Sequence, residues 1–410
     1  MSQLWIFVVQ GLFLGVCSQI DSAFGNNISI DAICVLSAYT VITWITYCIY
    51  QIGGYAYRIL LSKEKNCMLI SLVTSIFVGI IVLLLSKHIP QIYSLTETQE
   101  ILFEKCLRIH AITIPLLAIG EYLFNYMKFQ CMNKKLNITN VLFYVIMIGL
   151  DAIIFVSGGD LNHLLIATTV AYLLYDITLI FCSGILKSTD RINIIDLKLC
   201  FKHGFNMITD RVLGKIATLV YNVYASKLGT EAFAIHSICY SIACFTENVT
   251  NSLFDYAVVR LVTIEDVKQK FKKCINIMKK NCIPLALVSY IASYLLLLFM
   301  HGDISITKCI VPLAVYCIQS LFIQLYEGLR GYLTSLRRSD MLRWAGLVGM
   351  IVRIPLTLLV HYTAIGLYGF AVIVSIDFVC RGVYFMICHR VLVNKSNKYS
   401  KNKKLCEGGI

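Results

Sequence analysis

Five ionisable residues inside long apolar stretches of this sequence are its first candidates for chemistry. They are Asp21, Asp151, Arg211, Lys215 and Glu247. A charged side chain at the centre of a membrane-spanning helix costs about 2.5 to 3.5 kcal/mol on insertion scales. Residues of this kind therefore mark, by default, an aqueous path or an ion site within the membrane.

Arg211 and Lys215 are four residues apart and share one face of the predicted helix. They lie within about three turns of one end of that helix, so their side chains could extend toward the lipid headgroups. If they instead face a cleft, they repel cations, and the substrate is anionic or zwitterionic. The sequence leaves both interpretations open.

Glu247 shares a helix face with Asp255, because eight residues are close to two helical turns. Glu247 either faces a cleft or pairs with a basic neighbour such as Arg211 or Lys215.

Other charged residues near the apolar stretches predict ion pairs. Asp377 and Arg381 stand at i and i+4 and predict an intrahelical pair. Glu121 and Glu327 occupy comparable late positions in their stretches, and Glu327 is close to Arg330, which predicts ion pairs at the mouth of a cleft.

Tyr47 and Tyr50, with Trp44 one turn earlier, form an aromatic group on one predicted helix. This group could offer a π surface to a cation. The alternative is that these rings pack or anchor the helix at the membrane interface. Gly53 and Gly54 in the same stretch offer a place to bend or to pack closely.

The elements that must position these residues are membrane-spanning helices. The 410 residues are 58% hydrophobic and 14% charged, with a mean hydropathy of +0.75, which excludes a water-soluble multidomain protein. A span needs roughly 20 apolar residues, so the chain has room for about twelve. The apolar runs cover residues 4–24, 30–60, 67–86, 106–130, 136–157, 163–186, 199–225, 231–260, 273–300, 306–332, 341–362 and 366–390. The first run is predicted to be a retained helix rather than a removable signal peptide.

The net charge of +13 is explained by topology. When the loops are assigned alternately to two sides, one side carries most of the 36 Lys and Arg residues, and the other carries only Lys87, Lys105, Lys227 and Lys308. The positive-inside rule then predicts that both termini are cytoplasmic and that the number of spans is even. The Lys-rich tail is expected to face anionic lipid, and no nucleic-acid partner is expected.

The 17 cysteines and eight histidines are dispersed, without a CxxC pair or a His/Cys cluster. This pattern is typical of reduced thiols that pack as small apolar groups, and it predicts neither a disulfide framework nor a metal site. No cofactor is expected.

An internal repeat divides the chain into halves. The segment from Gln10 to Thr40 aligns with that from Asp210 to Tyr240 at a constant shift of two hundred residues, which places Asp31 over Glu231. Six spans per half predict a parallel repeat, in which a substrate binds between two bundles that rock against each other. The predicted parts are a six-helix bundle at 1–186, a cytoplasmic linker at 187–202, a second bundle at 203–392 and a basic tail at 393–410.

Short strings in both halves resemble those of the multidrug and toxic compound extrusion (MATE) transporters, relatives of lipid-linked oligosaccharide flippases. The strings are QIDSAFG at 19–25, DAI at 31–33, LDAIIF at 150–155, GLRGY at 328–332, VRIPL at 352–356 and GLYG at 366–369. Their order and spacing, rather than any one string, carry the resemblance. It implies an all-α fold of twelve transmembrane helices in two six-helix bundles with a V-shaped cleft, and export of cationic amphiphiles driven by a proton or sodium gradient.

The resemblance also implies a cation site in the first half, formed by Asp21 and Asp151 with a sixth-helix threonine, Thr168 or Thr169. Two carboxylates held close in a low-dielectric cleft cannot both stay ionised cheaply, so the pair would take up a proton or sodium. The neutral oxygen ligand expected one turn before Asp151 is replaced by Met147, which favours protons over sodium.

In the second half, the positions where some family members carry carboxylates hold Gly214 and Gln319, so a second cation site is not expected. The sequence therefore predicts substrate-cleft residues at Tyr47, Tyr50, Arg211, Lys215, Glu247 and Gln319.

The leading hypothesis is a monomeric secondary transporter in the cell membrane that exports amphiphilic, cationic small molecules by alternating access. The alternative is a flippase of lipid-linked saccharide, which would need a cationic cleft for the pyrophosphate, with Arg211 and Lys215 as its candidates. An enzyme is not expected, because the sequence shows no convergent catalytic groups and no phosphate-binding loop.

Overall fold

The computed structural model describes residues 4, 5, 8, 19–60, 63–130, 132–185, 191–261, 263–336, 338–363 and 365–407. Throughout this part of the chain the structure is helical and contains no strand, which confirms the all-α prediction. The helices are α1 (Ile20–Asn26), α2 (Ile30–Tyr50), α3 (Ile52–Leu60), α4 (Glu64–Leu85), α5 (Glu97–Phe129), α6 (Asn133–Val156), α7 (Leu161–Ser183), α8 (Ile194–Ser226), α9 (Thr230–Leu261), α10 (Val267–Met300), α11 (Ile306–Cys317), α12 (Gln319–Ser335), α13 (Ser339–His361) and α14 (Gly366–Glu407), with a short 3₁₀ turn at Pro90–Ile92.

Eight helical segments of the described chain are long and apolar enough to cross a membrane. They are Ile30–Tyr50, Glu64–Leu85, Lys134–Val156, Leu161–Ser183, Val267–Met300, Ile306–Ser335, Met341–His361 and Gly366–Asn394. The long helices α5, α8 and α9 do not reach this threshold of length, apolarity and low charge. The protein is thus a multi-pass membrane protein, while the count of twelve spans and the two-bundle arrangement remain predictions.

Two predicted spans are each divided into two helices. The break between α2 and α3 falls at Gln51, next to Gly53, where an added Cβ would lie 2.0 Å from the carbonyl oxygen of Cys67 in α4. Only glycine allows this close approach of α3 to α4. The second break, at Ile318, separates α11 from α12.

Several helices are longer than the apolar runs that predicted them. Helix α8 begins at Ile194, inside the predicted linker, and α14 continues to Glu407 through most of the predicted tail. Hydropathy detects the part of a helix that meets lipid, whereas backbone hydrogen bonding continues into the polar turns beyond it.

Exposed apolar side chains cover the outer surfaces of α4, α7 and α10. Leu84, Phe181 and Phe299 are 72%, 80% and 68% exposed, as expected for side chains that contact lipid. The buried apolar side chains form one cluster drawn mainly from residues 221–388 and two drawn from residues 32–208. The described core is therefore largely segregated by position in the sequence. We call the part built on the two clusters of residues 32–208 the first region, and the part built on the cluster of residues 221–388 the second region.

The connections of the helices lie at two ends of the molecule. We call the end that holds the connections preceding α4, α6, α8, α10 and α13 the basic end, and the end that holds those preceding α2, α5, α7, α9, α11 and α14 the neutral end. At the neutral end, Asn26 Nδ2 donates to the carbonyl oxygen of Met300 at 2.9 Å, and the backbone N–H of Ser94 donates to Ser226 Oγ at 3.1 Å. Helix α1 is therefore joined to α10, and the connection before α5 is joined to the end of α8, at this end.

Helix α8 connects the two regions of the structure. Near its beginning, Asp196 pairs with Lys63 at 2.9 Å, and Gly204 packs so closely on α3 that a Cβ would lie 2.2 Å from the carbonyl oxygen of Ile52. Near its end, Tyr221 donates a hydrogen bond to the carbonyl oxygen of Phe370 in α14 at 2.9 Å. The middle of α8 consequently runs between the regions.

Candidate functional site

Arg211 and Lys215 project from the middle of α8 toward the aromatic rings of α2 and α3. The Arg211 Cζ lies 5.1 Å from the centre of the Tyr55 ring, and the Lys215 Nζ lies 4.2 Å from the centre of the Trp44 ring. Both cations are half-buried. These are cation–π contacts of α8 with α2 and α3, rather than extensions of the side chains toward lipid headgroups.

A third cation, Arg330 of α12, joins this group. Arg330 Nη1 pairs with Glu327 Oε1 at 3.2 Å, and its guanidinium lies 5.1 Å from the centre of the Phe254 ring. Arg211 lies within electrostatic range of Arg330, and Glu327 lies within range of both Arg211 and Glu247. The pairing of Glu327 with Arg330 confirms the ion pair predicted from the sequence.

We call the set of Arg211, Lys215, Glu247, Glu327 and Arg330 the cationic cleft. With three cations and two carboxylates its formal charge is +1, and Glu327 is already occupied by Arg330. Glu247 is half-buried and lies, like Lys215, within electrostatic range of Cys244. Within this set, Arg211 and Lys215 form no ion pair with a described side chain, and their charges would attract an anion more than a cation.

The predicted pair of Asp377 and Arg381 is confirmed, and it belongs to a larger buried network. Arg381 Nε donates to Asp377 Oδ1 at 2.7 Å, and Arg353 Nη2 donates to Asp377 Oδ2 at 2.6 Å. Arg353 Nη1 also donates to Thr218 Oγ1 of α8 at 2.7 Å. Asp377 is 0% exposed and pairs with both arginines. Another cation could bind Asp377 only by displacing one of these arginines, which would leave a buried guanidinium group unpaired.

The predicted first-half site is only partly described. Asp151 is 0% exposed in α6, while the side chain of Asp21 lies outside the described residues. Their helices are in contact, because the rings of Phe24 in α1 and Phe155 in α6 have centres 5.7 Å apart.

The two candidate threonines of this site are engaged elsewhere in the structure. Thr168 Oγ1 donates to the carbonyl oxygen of Leu164 at 3.0 Å, and Thr169 Oγ1 is 2.7 Å from Thr113 Oγ1 of α5. A shared site of Asp21, Asp151 and a threonine therefore stays a prediction.

The remaining cleft candidates are packed in this conformation. The rings of Tyr47 and Tyr50 meet edge to face with centres 5.6 Å apart, and Tyr50 is 3% exposed. Gln319 is 0% exposed at the first turn of α12. Tyr50 and Gln319 thus do not line an open cleft here.

A pocket between α1, α2 and α9 lies beside Trp44. Its lining is rich in hydroxyl and amide side chains, and it also includes the rings of Trp44 and Tyr240, whose centres are 6.2 Å apart. The polar lining residues are Ser22, Asn26, Ser37, Thr40, Ser237 and Ser241. Its cavity volume in this conformation is about 20 Å³, room for about one water molecule. The hydroxyl and amide groups beside its aromatic rings would suit a hydroxyl-rich ligand only after the helices around it move apart.

One functional candidate was missed by the sequence reasoning. Asp176 lies in α7 and is 3% exposed, although α7 is apolar enough to cross a membrane. The rule that selected Asp151, an ionisable residue inside an apolar run, applies equally to Asp176.

Several solved structures of membrane transporters share the fold of this chain. An inward-facing multidrug resistance MATE family transporter of the MOP superfamily has a TM-score of 0.79 and 12% identity, covering 96% of this chain and 99% of that one. The lipid II flippase MurJ, in an inward closed conformation, has a TM-score of 0.73 and 13% identity, covering 95% of this chain and 88% of that one.

A third neighbour is a MOP superfamily transporter from Pyrococcus furiosus, with a TM-score of 0.65, 13% identity and 95% coverage of each chain. It is described as having a binding pocket of reverse polarity that suggests a different function. No curated protein sequence matches the chain significantly.

The fold is therefore that of the MOP superfamily, whose members among these neighbours are transporters and a flippase rather than enzymes. This confirms the resemblance predicted from the sequence, with its link to lipid-linked oligosaccharide flippases. A family model described as polysaccharide biosynthesis protein matches residues 202–407, half of the chain. The chain belongs to the polysaccharide biosynthesis protein family.

Proposed function

We propose that the protein moves an anionic amphiphile, a lipid-linked saccharide with a phosphate or pyrophosphate group, across the membrane by alternating access. The observation that carries this proposal is the position of Arg211 and Lys215, which point from α8 onto the rings of Tyr55 and Trp44. This was the alternative hypothesis from the sequence, and its stated requirement was a cationic cleft.

The electrostatics of the site favour an anion over a cation. A cationic amphiphile entering between α8 and α2 would approach Arg211 and Lys215, and the guanidinium and ammonium groups would repel it. A pyrophosphate group would instead form charge-assisted hydrogen bonds with both side chains. Partial burial strengthens this preference, because solvent and salt screen buried charges less.

The pocket beside Trp44 supports the saccharide part of the proposal. It lies next to the Lys215 cation, since Trp44 both lines the pocket and contacts Lys215 Nζ at 4.2 Å. Its cavity volume is about 20 Å³, so α1, α2 and α9 must move apart before a sugar can enter. In that widened state Ser37, Thr40 and Ser237 would offer hydroxyl partners to the sugar, with the pyrophosphate close to Lys215. Membership of the polysaccharide biosynthesis protein family agrees with such a substrate.

Export of cationic amphiphiles, the leading hypothesis from the sequence, is the second candidate. The fold shared with a multidrug resistance MATE transporter supports it. The same transport cycle would serve either substrate, coupled to proton or sodium entry in a monomer of the cell membrane with both termini in the cytoplasm.

Binding to the purified protein separates the two candidates. We expect a fluorescent polyprenyl-pyrophosphate saccharide to bind more tightly than tetraphenylphosphonium, a lipophilic cation. Arg211→Gln and Lys215→Gln should each weaken binding of the anionic lipid about tenfold or more, since one hydrogen bond to a charged group contributes about 1.5 to 3 kcal/mol.

Lys308→Gln is the matched control, because Lys308 is an exposed cation that pairs with Glu231 at the neutral end. It should leave the affinity unchanged. Two results together would contradict the proposal and support the second candidate. The wild type would bind tetraphenylphosphonium more tightly than the anionic lipid, and Arg211→Gln would bind tetraphenylphosphonium more tightly than the wild type does.

A further inference from the structure

A regular polar seam runs between α5 and α7. Three pairs of residues meet across it, each with a sequence separation of 56 and each pair seven residues after the previous one. The pairs are Cys106 with Asn162, Thr113 with Thr169, and Gly120 with Asp176. Seven residues are close to two helical turns, so the three pairs lie in line along the helix interface.

The third pair of the seam holds a carboxyl group against a glycine. A Cβ on Gly120 would lie 2.6 Å from Asp176 Oδ1, so the absence of a side chain at position 120 makes room for the carboxyl group. Asp176 is 3% exposed, and neither of its oxygens has a hydrogen-bond partner among the described residues. In the first two pairs, by contrast, the polar atoms of both side chains contact each other, at 3.8 Å and 2.7 Å.

Among the described residues, the surroundings of Asp176 offer no positive charge, because no Lys or Arg lies within electrostatic range of its carboxyl group. The titratable groups around it on the packed elements include Glu121 of α5, which accepts a hydrogen bond from Gln51 at 2.8 Å, Tyr144 of α6, and Tyr172 and Tyr175 of α7 itself. The hydroxyl group of Tyr175 is directed away, donating to Asn140 Oδ1 at 2.7 Å. None of these groups can neutralise a buried carboxylate.

A sodium ion is not favoured at this position. Sodium and other hard cations require several oxygen ligands, and the facing residue, Gly120, supplies no side-chain oxygen. A proton needs only the carboxyl group itself. Burial without a counter-charge favours the neutral, protonated acid over the carboxylate.

We propose that Asp176 is a proton-binding site of this transporter, protonated while α5 and α7 are packed together. When the seam opens and water reaches Asp176, the O–H bond breaks, the proton passes to water and a carboxylate remains. The carboxylate cannot return to the dry seam until it takes up a proton, so closure of the seam requires proton binding. This deepens the proposed function, on which it rests, by naming the coupling ion and a residue distinct from Asp21 and Asp151.

Infrared spectroscopy of the purified protein tests the protonation directly. At pH 7 in D₂O, the wild type should show a carbonyl-stretching band of a protonated carboxyl group that is missing in Asp176→Asn. Asp196→Asn is the control, because Asp196 pairs with Lys63 near the surface, and it should keep the band. An unchanged band in Asp176→Asn would overturn the proposal.

A second measurement needs no variant. Wild-type protein labelled with ¹³C in the aspartate carboxyl group should show the same band shifted to lower frequency, whereas ¹³C-glutamate should leave it in place. Failure of the aspartate label to move the band would also overturn the proposal.

Coupling is tested in proteoliposomes with a proton gradient. Asp176→Asn should bind the polyprenyl-pyrophosphate saccharide as tightly as the wild type but lose acceleration of its transport by the gradient. Gradient-driven transport at the wild-type rate would refute the role of Asp176. If the wild type does not bind the polyprenyl-pyrophosphate saccharide but still shows the infrared band of Asp176, the proposed substrate is wrong and the proton-binding site is still supported.

Discussion

At the residue scale, the most consequential cluster outside the cationic cleft is the one that holds Asp377 between two arginines. Its three side chains are 0 to 7% exposed, so each charge depends on the others for compensation. We expect Asp377→Asn to destabilise the protein by about 3 to 5 kcal/mol, because it leaves two buried guanidinium groups without a counter-charge.

Thermal unfolding in detergent measures this effect. Glu231→Gln is the control, since Glu231 and Lys308 form an exposed pair that contributes at most about 1 kcal/mol. Equal melting temperatures of the two variants would show that the network is not needed for stability.

A pH-dependent prediction concerns Asp160, which caps α7 at the neutral end. Its carboxylate accepts a hydrogen bond from the backbone N–H of His163 at 3.1 Å. Partial burial raises the pKa of Asp160, but the hydrogen bonds from His163 and Asn162 lower it by more than burial raises it, so the pKa lies below the usual 3.8. The stabilisation is therefore complete above that usual value and is lost as the pH falls through the lowered value.

Asp160→Ala should accordingly lower the stability by about 1 kcal/mol at pH 7, the usual contribution of a helix cap. The difference from the wild type should shrink as the pH falls below about 4. Melting curves across this range provide the measurement, with the exposed Asp303→Ala as the control. A difference that stays constant with pH would contradict the role of the carboxylate.

Sequence reasoning at this scale found pairs within one helix but not the partners on other helices. Asp377 and Arg381 were predicted as a pair because their spacing on one helix is local information. Arg353 joins them from α13, and Tyr55 and Trp44 meet Arg211 and Lys215 across helices. Such long-range contacts depend on helix packing, which one sequence does not specify.

At the scale of helices, close packing at glycine fixes the path of α8. A Cβ on Gly204 would lie 2.2 Å from the Ile52 carbonyl oxygen, which belongs to backbone and cannot rotate away. We expect Gly204→Ala to push α8 from α3 and to destabilise the protein by about 1 to 3 kcal/mol. It should also weaken lipid binding, because α8 carries Arg211 and Lys215.

Gly149→Ala is the matched control for this substitution. Gly149 also lies within a helix, but a Cβ there would meet nothing within 4 Å. Alanine should therefore stabilise that helix by up to about 1 kcal/mol through its better helix propensity. If both variants unfold at the wild-type temperature, the close approach of α8 to α3 is not a constraint.

The sequence predicted most helices at this scale because lipid contact imposes an apolar run of recognisable length. It placed the beginnings of α5, α8 and α10 too late, because charged residues lie in or next to their first turns and interrupt the apolar run. It also treated residues 30–60 and 306–332 as single spans, and the breaks at Gln51 and Ile318 carry no proline that would mark them.

At the scale of the whole molecule, the neutral end is closed by hydrogen bonds between the two regions. Alternating access would require these contacts, including that of Ser94 with Ser226, to separate once in each cycle. In a background without reactive cysteines, we expect the double variant Ser94→Cys and Ser226→Cys to form a disulfide that stops transport. Addition of a reductant should restore it.

Transport that continues in the fully oxidised variant would show that the neutral end does not open. Ser94→Cys alone serves as the control and should transport in both redox states.

The overall fold was recognisable from the order of short strings across both halves, whereas the substrate was not. The strings near Asp21 and Asp151 directed attention to a cationic substrate and to the first half. The charge of the cleft is set by side chains of α8, α9 and α12, whose proximity becomes visible only in the assembled molecule.

The central claim is that the cationic cleft carries an anionic lipid across the membrane. Its most direct test is the rate at which proteoliposomes containing the wild type or the double variant Arg211→Gln and Lys215→Gln flip a fluorescent polyprenyl-pyrophosphate saccharide. We predict flipping by the wild type and a loss of at least about tenfold in the double variant, with Lys308→Gln unaffected. Flipping by the double variant at the wild-type rate, or none by the wild type while it transports a lipophilic cation, would contradict this account.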